Sequence, residues 1–299
     1  MDRINSRFGF TGDVPMTCSR EATPTAAGSS ASHWVTLAVI GVIGGALSGL
    51  FAIGGGILMV PLLVWRAHLD QRSAAATSLV AIVPAAIVSS ATYLAHGEID
   101  IVAGAFIASG AIGGAVIGSA LLRRIPLAWL RWMFIVFILG IAGRLLIIAP
   151  ERGQGLHLSV GVALGYVALG LVMGIASGLF GIGGGIIAVP LMISVFAISD
   201  LVAKGTSLLV TIPTSVVGTM ANRRAGLVDL RAGIVVGIAA AIASVPAVDV
   251  ALLMSPRLSG VLFAALLLAV AAQLTVKAIR APRKDGAAAK SSPSLVGAA

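Results

Sequence analysis

Gly45-Ala-Leu-Ser-Gly-Leu-Phe-Ala-Ile-Gly-Gly-Gly-Ile-Leu-Met-Val-Pro-Leu62 returns further along the chain as Gly174-Ile-Ala-Ser-Gly-Leu-Phe-Gly-Ile-Gly-Gly-Gly-Ile-Ile-Ala-Val-Pro-Leu191. A glycine triplet and a proline inside a long apolar run interrupt a helix where lipid offers no hydrogen-bond partner, so the freed backbone must face protein or a watery path. Two such interruptions at matching positions are the mark of a duplicated membrane transporter.

With the copies aligned at an offset of 129 and no gap, residues 44–104 share 23 identities in 61 positions with their partners. Ala74, Thr77-Ser78-Leu79, Pro84, Val88, Gly97, Asp100 and Ala103-Gly104 fall on Ala203, Thr206-Ser207-Leu208, Pro213, Val217, Gly226, Asp229 and Ala232-Gly233. Apolar composition alone does not place a glycine triplet, a Thr-Ser pair and two prolines in one register, so the chain is two homologous halves.

Apolar residues make up 58% of the chain and charged ones 10%, against about 45–50% and about 25% in soluble domains. Runs of about 20 apolar residues recur throughout, the length of helix that spans a bilayer core. The net charge of +9 lies in short linkers and the C-terminal stretch, which fits membrane orientation better than nucleic-acid binding. Cys18 is the one cysteine, so no internal disulfide and no multi-cysteine metal site is expected. Residues 1–33 lack the apolar centre of a secretory signal and read as a flexible arm. Residues 282–299 read as a flexible basic tail. Membrane repeats over 34–150 and 151–281 lie between.

Each repeat reads as five helical segments: about 34–53, 57–65, 73–95, 101–122 and 127–149, then 158–182, 186–199, 203–221, 230–254 and 258–279. The second of each set is short, so either it completes a crossing or it is re-entrant. Ten passes sort the basic residues 16 against 3 between the two sides, and eight passes sort them 12 against 7. Lysine and arginine favour the cytoplasmic side, so the odd count per half is preferred, the repeats are inverted, and both termini lie in the cytoplasm. The fold expected is an all-α polytopic membrane protein with glycine-broken helices.

A short helix that starts after each triplet should place its first turn at depth in the membrane, with unpaired N–H groups and the positive end of the helix dipole. Gly54, Gly55, Gly56, Gly183, Gly184 and Gly185 are therefore candidates to line a site for a small anion. Pro61 and Pro190 are read near the starts of these helices, where a missing N–H costs little. The spaced glycines Gly41/Gly45/Gly49, Gly110/Gly114/Gly118 and Gly170/Gly174/Gly178 are read as helix-packing stripes.

Thr77, Ser78, Thr206 and Ser207 offer hydroxyls that can donate to an oxyanion, or bond back to helix backbone instead. Lys204 could add positive charge to the path or snorkel to the interface, and Asn222 completes the substrate-binding set. Pro84 and Pro213 are hinge or kink positions. Asp249 is the best candidate for a proton relay unless it lies at a segment end. Arg144 is assigned to the interface. His33, His68, His96 and His157 sit at segment edges without metal-ligand spacing, so no metal and no cofactor is expected.

No nucleotide-binding or zinc-protease motif occurs, and no histidine lies within an apolar segment to activate Ser48 or Ser177. An enzyme is not expected. Transport would then run on a gradient rather than on ATP.

Ser-Gly-Leu-Phe-Gly-Ile-Gly-Gly-Gly-x-x-x-Val-Pro-Leu, complete in the second half and near-complete in the first, with Lys204-Gly-Thr-Ser-Leu208 following, resembles the sulfite exporter TauE/SafE family over about residues 34–280. The resemblance implies a bacterial inner-membrane carrier for sulfite, sulfonates or related small organic anions, with the triplets, Pro61, Pro190 and the Thr-Ser pairs as its substrate region. Ala52 and Ala75-Ala76 depart from the pattern, where the second copy has Gly181 and Lys204-Gly205. The reading is thus a secondary transporter of small anions working by alternating access, with the lipid bilayer and an anionic substrate as partners. An anion channel and a non-transporting scaffold subunit are the rivals. The coupling ion, the direction of transport and any homo-oligomer are left open.

Overall fold

The computed structural model describes residues 31–67, 69–126 and 159–280, with scattered helical positions from 129 to 143. The first thirty residues of the arm, the tail 282–299, Cys18, His68, Arg144, His157 and most of the segment 127–149 lie outside the described residues.

Among the described residues the elements are α1 (Ala31–Phe51), α2 (Gly56–Arg66), α3 (Gln71–Ala95), α4 (Ile101–Arg124), α5 (Val160–Phe180), α6 (Gly185–Phe196), α7 (Asp200–Arg224), α8 (Leu230–Leu253) and α9 (Pro256–Arg280). Each follows an expected segment within a few residues. Six of them, α1, α3, α4, α5, α7 and α8, are long and apolar enough to cross a membrane. Side-chain oxygens start several: Asp70, Asp100, Ser159, Ser199 and Asp229 accept from first-turn amides of α3, α4, α5, α7 and α8.

The outer faces are apolar, with Val35, Val39 and Val42 on α1, Ile112, Val116 and Ile117 on α4, and Ile234, Ile238 and Ile242 on α8 all exposed. The interior instead holds Thr77, Ser78, Ser89, Thr206, Ser207, Thr211, Thr214 and Ser215. Apolar outside with hydroxyls within is the distribution a lipid solvent selects.

The glycine stripes are contact seams. Gly41, Gly45 and Gly49 of α1 lie against Val236, Ala240 and Ser244 of α8, so these helices run parallel. Gly170, Gly174 and Gly178 of α5 lie against Ile107, Ala111 and Ala115 of α4, again parallel. An added methyl at Gly49 would sit 2.8 Å from the Ala247 Cβ, and one at Gly178 would sit 2.7 Å from the Ser119 amide nitrogen. Backbones approach this closely only where side chains are absent. The two tightest seams therefore join one repeat to the other.

The equivalent helices α3 and α7 run antiparallel, since Leu79 lies beside Gly218 and Tyr93 beside Gly205. That register sets Pro84 level with Pro213. Equivalent helices pointing in opposite directions make the repeats inverted, as the charge count implied. The short helices supply the odd parity: Gly44 of α1 abuts both Gly55 and Met59, so α2 turns back along α1 and returns to the end where α1 began. In the other repeat, Phe196 at the end of α6 meets Tyr166 near the start of α5, ring centroids 4.4 Å apart. The two helical hairpins thus open toward opposite ends.

One end of the bundle collects Arg66, Arg72, Arg123, Arg124, Arg223, Arg224 and Arg231. Arg72 Nη2 donates to the Ile125 carbonyl at 3.0 Å and Arg123 Nη1 to the Ala221 carbonyl at 3.2 Å. The opposite end holds Glu98, Asp200, Lys204 and Arg257, where Lys204 Nζ reaches Ser259 at the start of α9. Among the described residues the arginines sort as the odd-parity reading requires.

Candidate functional site

The two interruptions meet on the axis that relates the repeats. A methyl on Gly54 would lie 3.6 Å from the Gly183 Cα, and one on Gly183 would lie 3.6 Å from the Gly54 Cα. Ile82 Cγ2 closes over both, and the Thr211 hydroxyl donates to the Gly183 carbonyl at 2.8 Å. Gly55 and Gly184 cap α2 and α6 in the left-handed region, at φ 74° and φ 84°, without any side-chain cap. Among the described residues, no hydrogen bond forms from the amides of Gly54, Gly55, Gly56 and Ile57, nor from those of Gly183, Gly184, Gly185 and Ile186. Each short helix thus begins with unpaired donors at the partial positive charge of its dipole. Gly56 and Gly185 press against the carbonyls of Gly181 and Ala52, so in this conformation the triplets fill one another's space.

Pro61 and Pro190 are each the sixth residue of their helices, a turn deeper than the helix starts where the reading put them. Proline at that depth has no N–H to give the carbonyl four residues earlier, that of Ile57 in α2 and of Ile186 in α6. Pro84 and Pro213 lie within α3 and α7.

The Thr-Ser pairs are bonded across the repeats. Thr206 Oγ1 accepts from the Asp100 amide at 2.9 Å, and Thr77 Oγ1 accepts from the Asp229 amide at 3.0 Å. The repeated aspartates in turn cap α4 and α8. Ser78 Oγ lies 2.6 Å from the Gly181 carbonyl, and Ser207 Oγ lies 3.5 Å from that of Ala52. These hydroxyls hold the residue that ends the preceding helix of the other repeat. They belong to the walls that pin each interruption.

Lys204 does not snorkel. It is 2% exposed, its Nζ donates to Asp200 Oδ2 and to Ser259 Oγ at 2.7 Å each, and the pair ties α7 to α9. Asp200 neutralises the positive charge that an anion path would have used. The sequence reading passed over Asp200, although an Asp and a Lys four apart on one helix signal such a pair. A cavity of about 320 Å³ lies beside it, lined by Glu98, Asp200 and Met254 among others. Asp249 is exposed on α8, a turn from the end of that helix. It is not placed as an interior proton relay.

Asn222 is fully buried, and neither side-chain atom has a partner. Its repeat equivalent is Tyr93, also fully buried, whose hydroxyl donates to the Gly49 carbonyl at 3.0 Å. A buried polar group without a partner costs about 1–3 kcal/mol. The structure carries that cost at Asn222 and not at Tyr93.

A family model described as sulfite exporter TauE/SafE matches residues 12–145 and again residues 166–299, one match to each half. The chain belongs to the sulfite exporter TauE/SafE family. Among similar proteins, the probable membrane transporter protein YunE of Bacillus subtilis (strain 168) is 27% identical over 220 residues, covering 66% of this chain and 80% of that one. YdhB of the same organism, also a probable membrane transporter protein, is 28% identical over 189 residues, covering 62% of this chain and 77% of the other. A probable membrane transporter protein of Xylella fastidiosa (strain 9a5c) is 34% identical over 86 residues, 28% of this chain and 33% of that protein. No solved structure matches. The TauE/SafE membership and the helices that can span a bilayer make this a multi-pass membrane protein of a transporter family, a class that in general moves solutes rather than catalyses reactions.

Proposed function

We propose that this TauE/SafE protein is a gradient-driven carrier that moves a small anion, sulfite, an organosulfonate or a related organic anion, across the bacterial inner membrane by alternating access. The observation that carries the proposal is the meeting of two inverted helix N-termini, with unpaired first-turn amides, on the axis between the repeats. Partial positive charge and bare donors suit an oxyanion without a buried formal charge. The arginine-rich end faces the cytoplasm, with both termini.

In this conformation the triplets touch, so the anion reaches the amides only when one repeat rocks against the other. Each hairpin opens to its own end and is pinned to the opposite repeat by a Thr-Ser pair, which lets rigid halves tilt about the contact of Gly54 with Gly183. A closed centre also supports a carrier over an open channel. Reconstituted liposomes loaded with labelled sulfite, and then with a panel of sulfonates, test the proposal. Saturable flux that follows an imposed ion gradient is expected. Flux that never saturates would make it a channel, and no flux of any tested anion would leave a scaffold.

A further inference from the structure

The polar atoms that packing leaves without partners are unevenly placed. Ser119 of α4, Ser177 of α5 and Ser215, Thr219 and Asn222 of α7 lie in the half nearer the arginine-rich end, whereas Ser48 and Ser89 lie in the other half. Within the first group, Ser119, Ser215 and Asn222 come together. A methyl on Gly218 would lie 3.8 Å from Ser119 Oγ, and Gly178, next to Ser177, packs on the Ser119 backbone. Ser215 and Asn222 flank Gly218 on the same face of α7, three residues before it and four after. Helices α4 and α7 thus bring two buried hydroxyls and an amide to one region, with Ser177 of α5 one residue from the contact of Gly178 with Ser119, and Ser119, Ser177, Ser215 and Asn222 are each fully buried.

The matching region of the other half is occupied by protein. There the Tyr93 ring stands where Asn222 stands here, and its hydroxyl closes on Gly49, the equivalent of Gly178. Gly205 lets that ring in, since a methyl on it would meet the Tyr93 Cβ at 3.0 Å, and Ala76 replaces Gly205 in the other repeat. The repeats therefore differ at this place: one half is filled by an aromatic ring, and the other presents a shorter amide with nothing to bond.

We propose that Asn222, Ser119, Ser177 and Ser215, closed in this conformation, become a binding pocket for a small oxyanion when the repeats rock open toward the arginine-rich end, with Tyr93 as the counterpart that stays plugged at the opposite end. The identity of the ligand rests on the transport reading. The pocket offers the two N–H donors of the amide and three hydroxyls, with no carboxylate among the four residues. Neutral donors bind an oxyanion without the trap of a buried ion pair, so it can leave again. Arg123, Arg223 and Arg224, exposed at the same end, raise the local concentration of anions. Buried polar groups without partners in native proteins call for such an explanation.

The test uses the full chain with Cys18→Ser as background, in vesicles of known orientation. Ser119→Cys and Ser215→Cys are expected to react with a membrane-impermeant maleimide added at the arginine-rich end, and methanesulfonate is expected to slow that reaction. Ser48→Cys and Ser89→Cys are expected to stay unlabelled from both ends. Asn222→Tyr, which grafts the plug, is expected to abolish labelling of Ser119→Cys. Asn222→Ala is expected to raise the KM for flux about tenfold, as the loss of one charge-assisted hydrogen bond implies. Labelling of Ser119→Cys no faster than of Ser48→Cys would overturn the pocket, and labelling that no anion slows would overturn its ligand. If protection by methanesulfonate persists while no anion is transported, the pocket stands and the transport reading falls.

Discussion

The two repeats are alike in backbone and unlike in what they carry at three equivalent places. Ala52 in the first repeat matches Gly181 in the second, Gln71 and Ala75 match Asp200 and Lys204, and Tyr93 matches Asn222. Ala52 holds the same left-handed conformation as Gly181, φ 55° against φ 69°, so the turn that ends the first helix is imposed by its surroundings and not by glycine. The ion pair has no counterpart in the first repeat. Duplication set the frame, and later divergence made the two ends of the molecule chemically different.

The largest effect is expected at the ion pair. Asp200→Ala leaves the Lys204 ammonium buried without its partner and should cost about 3–5 kcal/mol, seen as a marked fall in thermal unfolding temperature in detergent. Importing the first repeat's residues with the double change Asp200→Gln and Lys204→Ala should restore most of that loss. If the double variant is as unstable as the single one, the ion pair is more than a tie between α7 and α9.

Gly181→Ala comes next. The new methyl would lie 2.7 Å from the Ser78 Oγ and from the Ala75 Cα, in a conformation that already disfavours alanine, so a loss of about 3 kcal/mol is expected. The same thermal assay, or loss of the monodisperse peak on size exclusion, reads it. A neutral result would mean that the second hairpin relaxes as easily as the first.

Thr77→Val and Thr206→Val should each cost about 1 kcal/mol, because each leaves one aspartate amide unpaired. Their near equality is the sharpest check on the symmetry of the walls, and unequal losses by thermal unfolding would show that the repeats are not pinned alike. Ala52→Gly should have the smallest effect, a gain of about 0.5 kcal/mol from relief of the left-handed alanine, offset in part by the freer unfolded chain. A loss there would mean that the Ala52 methyl packs usefully.

Much of this was legible in the residues, and the exceptions share a cause. Apolar run length marked the helices, because a segment in lipid must satisfy its own backbone. The arginine distribution carried the inversion, and the glycine stripes read correctly as seams. The Thr-Ser pairs were visible as hydroxyls, but their acceptors and donors lie across the repeat boundary: Thr206 meets Asp100 and Thr77 meets Asp229. No local pattern names a partner more than a hundred residues away. Asp249 looked interior because it sits within an apolar run, yet the face it occupies depends on which side of α8 packs against α1. Asn222 was placed in the substrate-binding set from its residue type, but its burial without a partner, and the contrast with Tyr93, show only in the fold.

The seams between α1 and α8 and between α4 and α5 have a bearing on ancestry. Among the described residues the glycine stripe of each hairpin is covered by a helix of the other half, so one half synthesised alone would expose that bare face to lipid. A forebear of single length would have had to pair with a copy of itself threaded into the bilayer the other way up. With both halves in one chain that coin-toss at insertion is no longer needed, and arginines gathered at one end would bias the whole chain toward a single orientation.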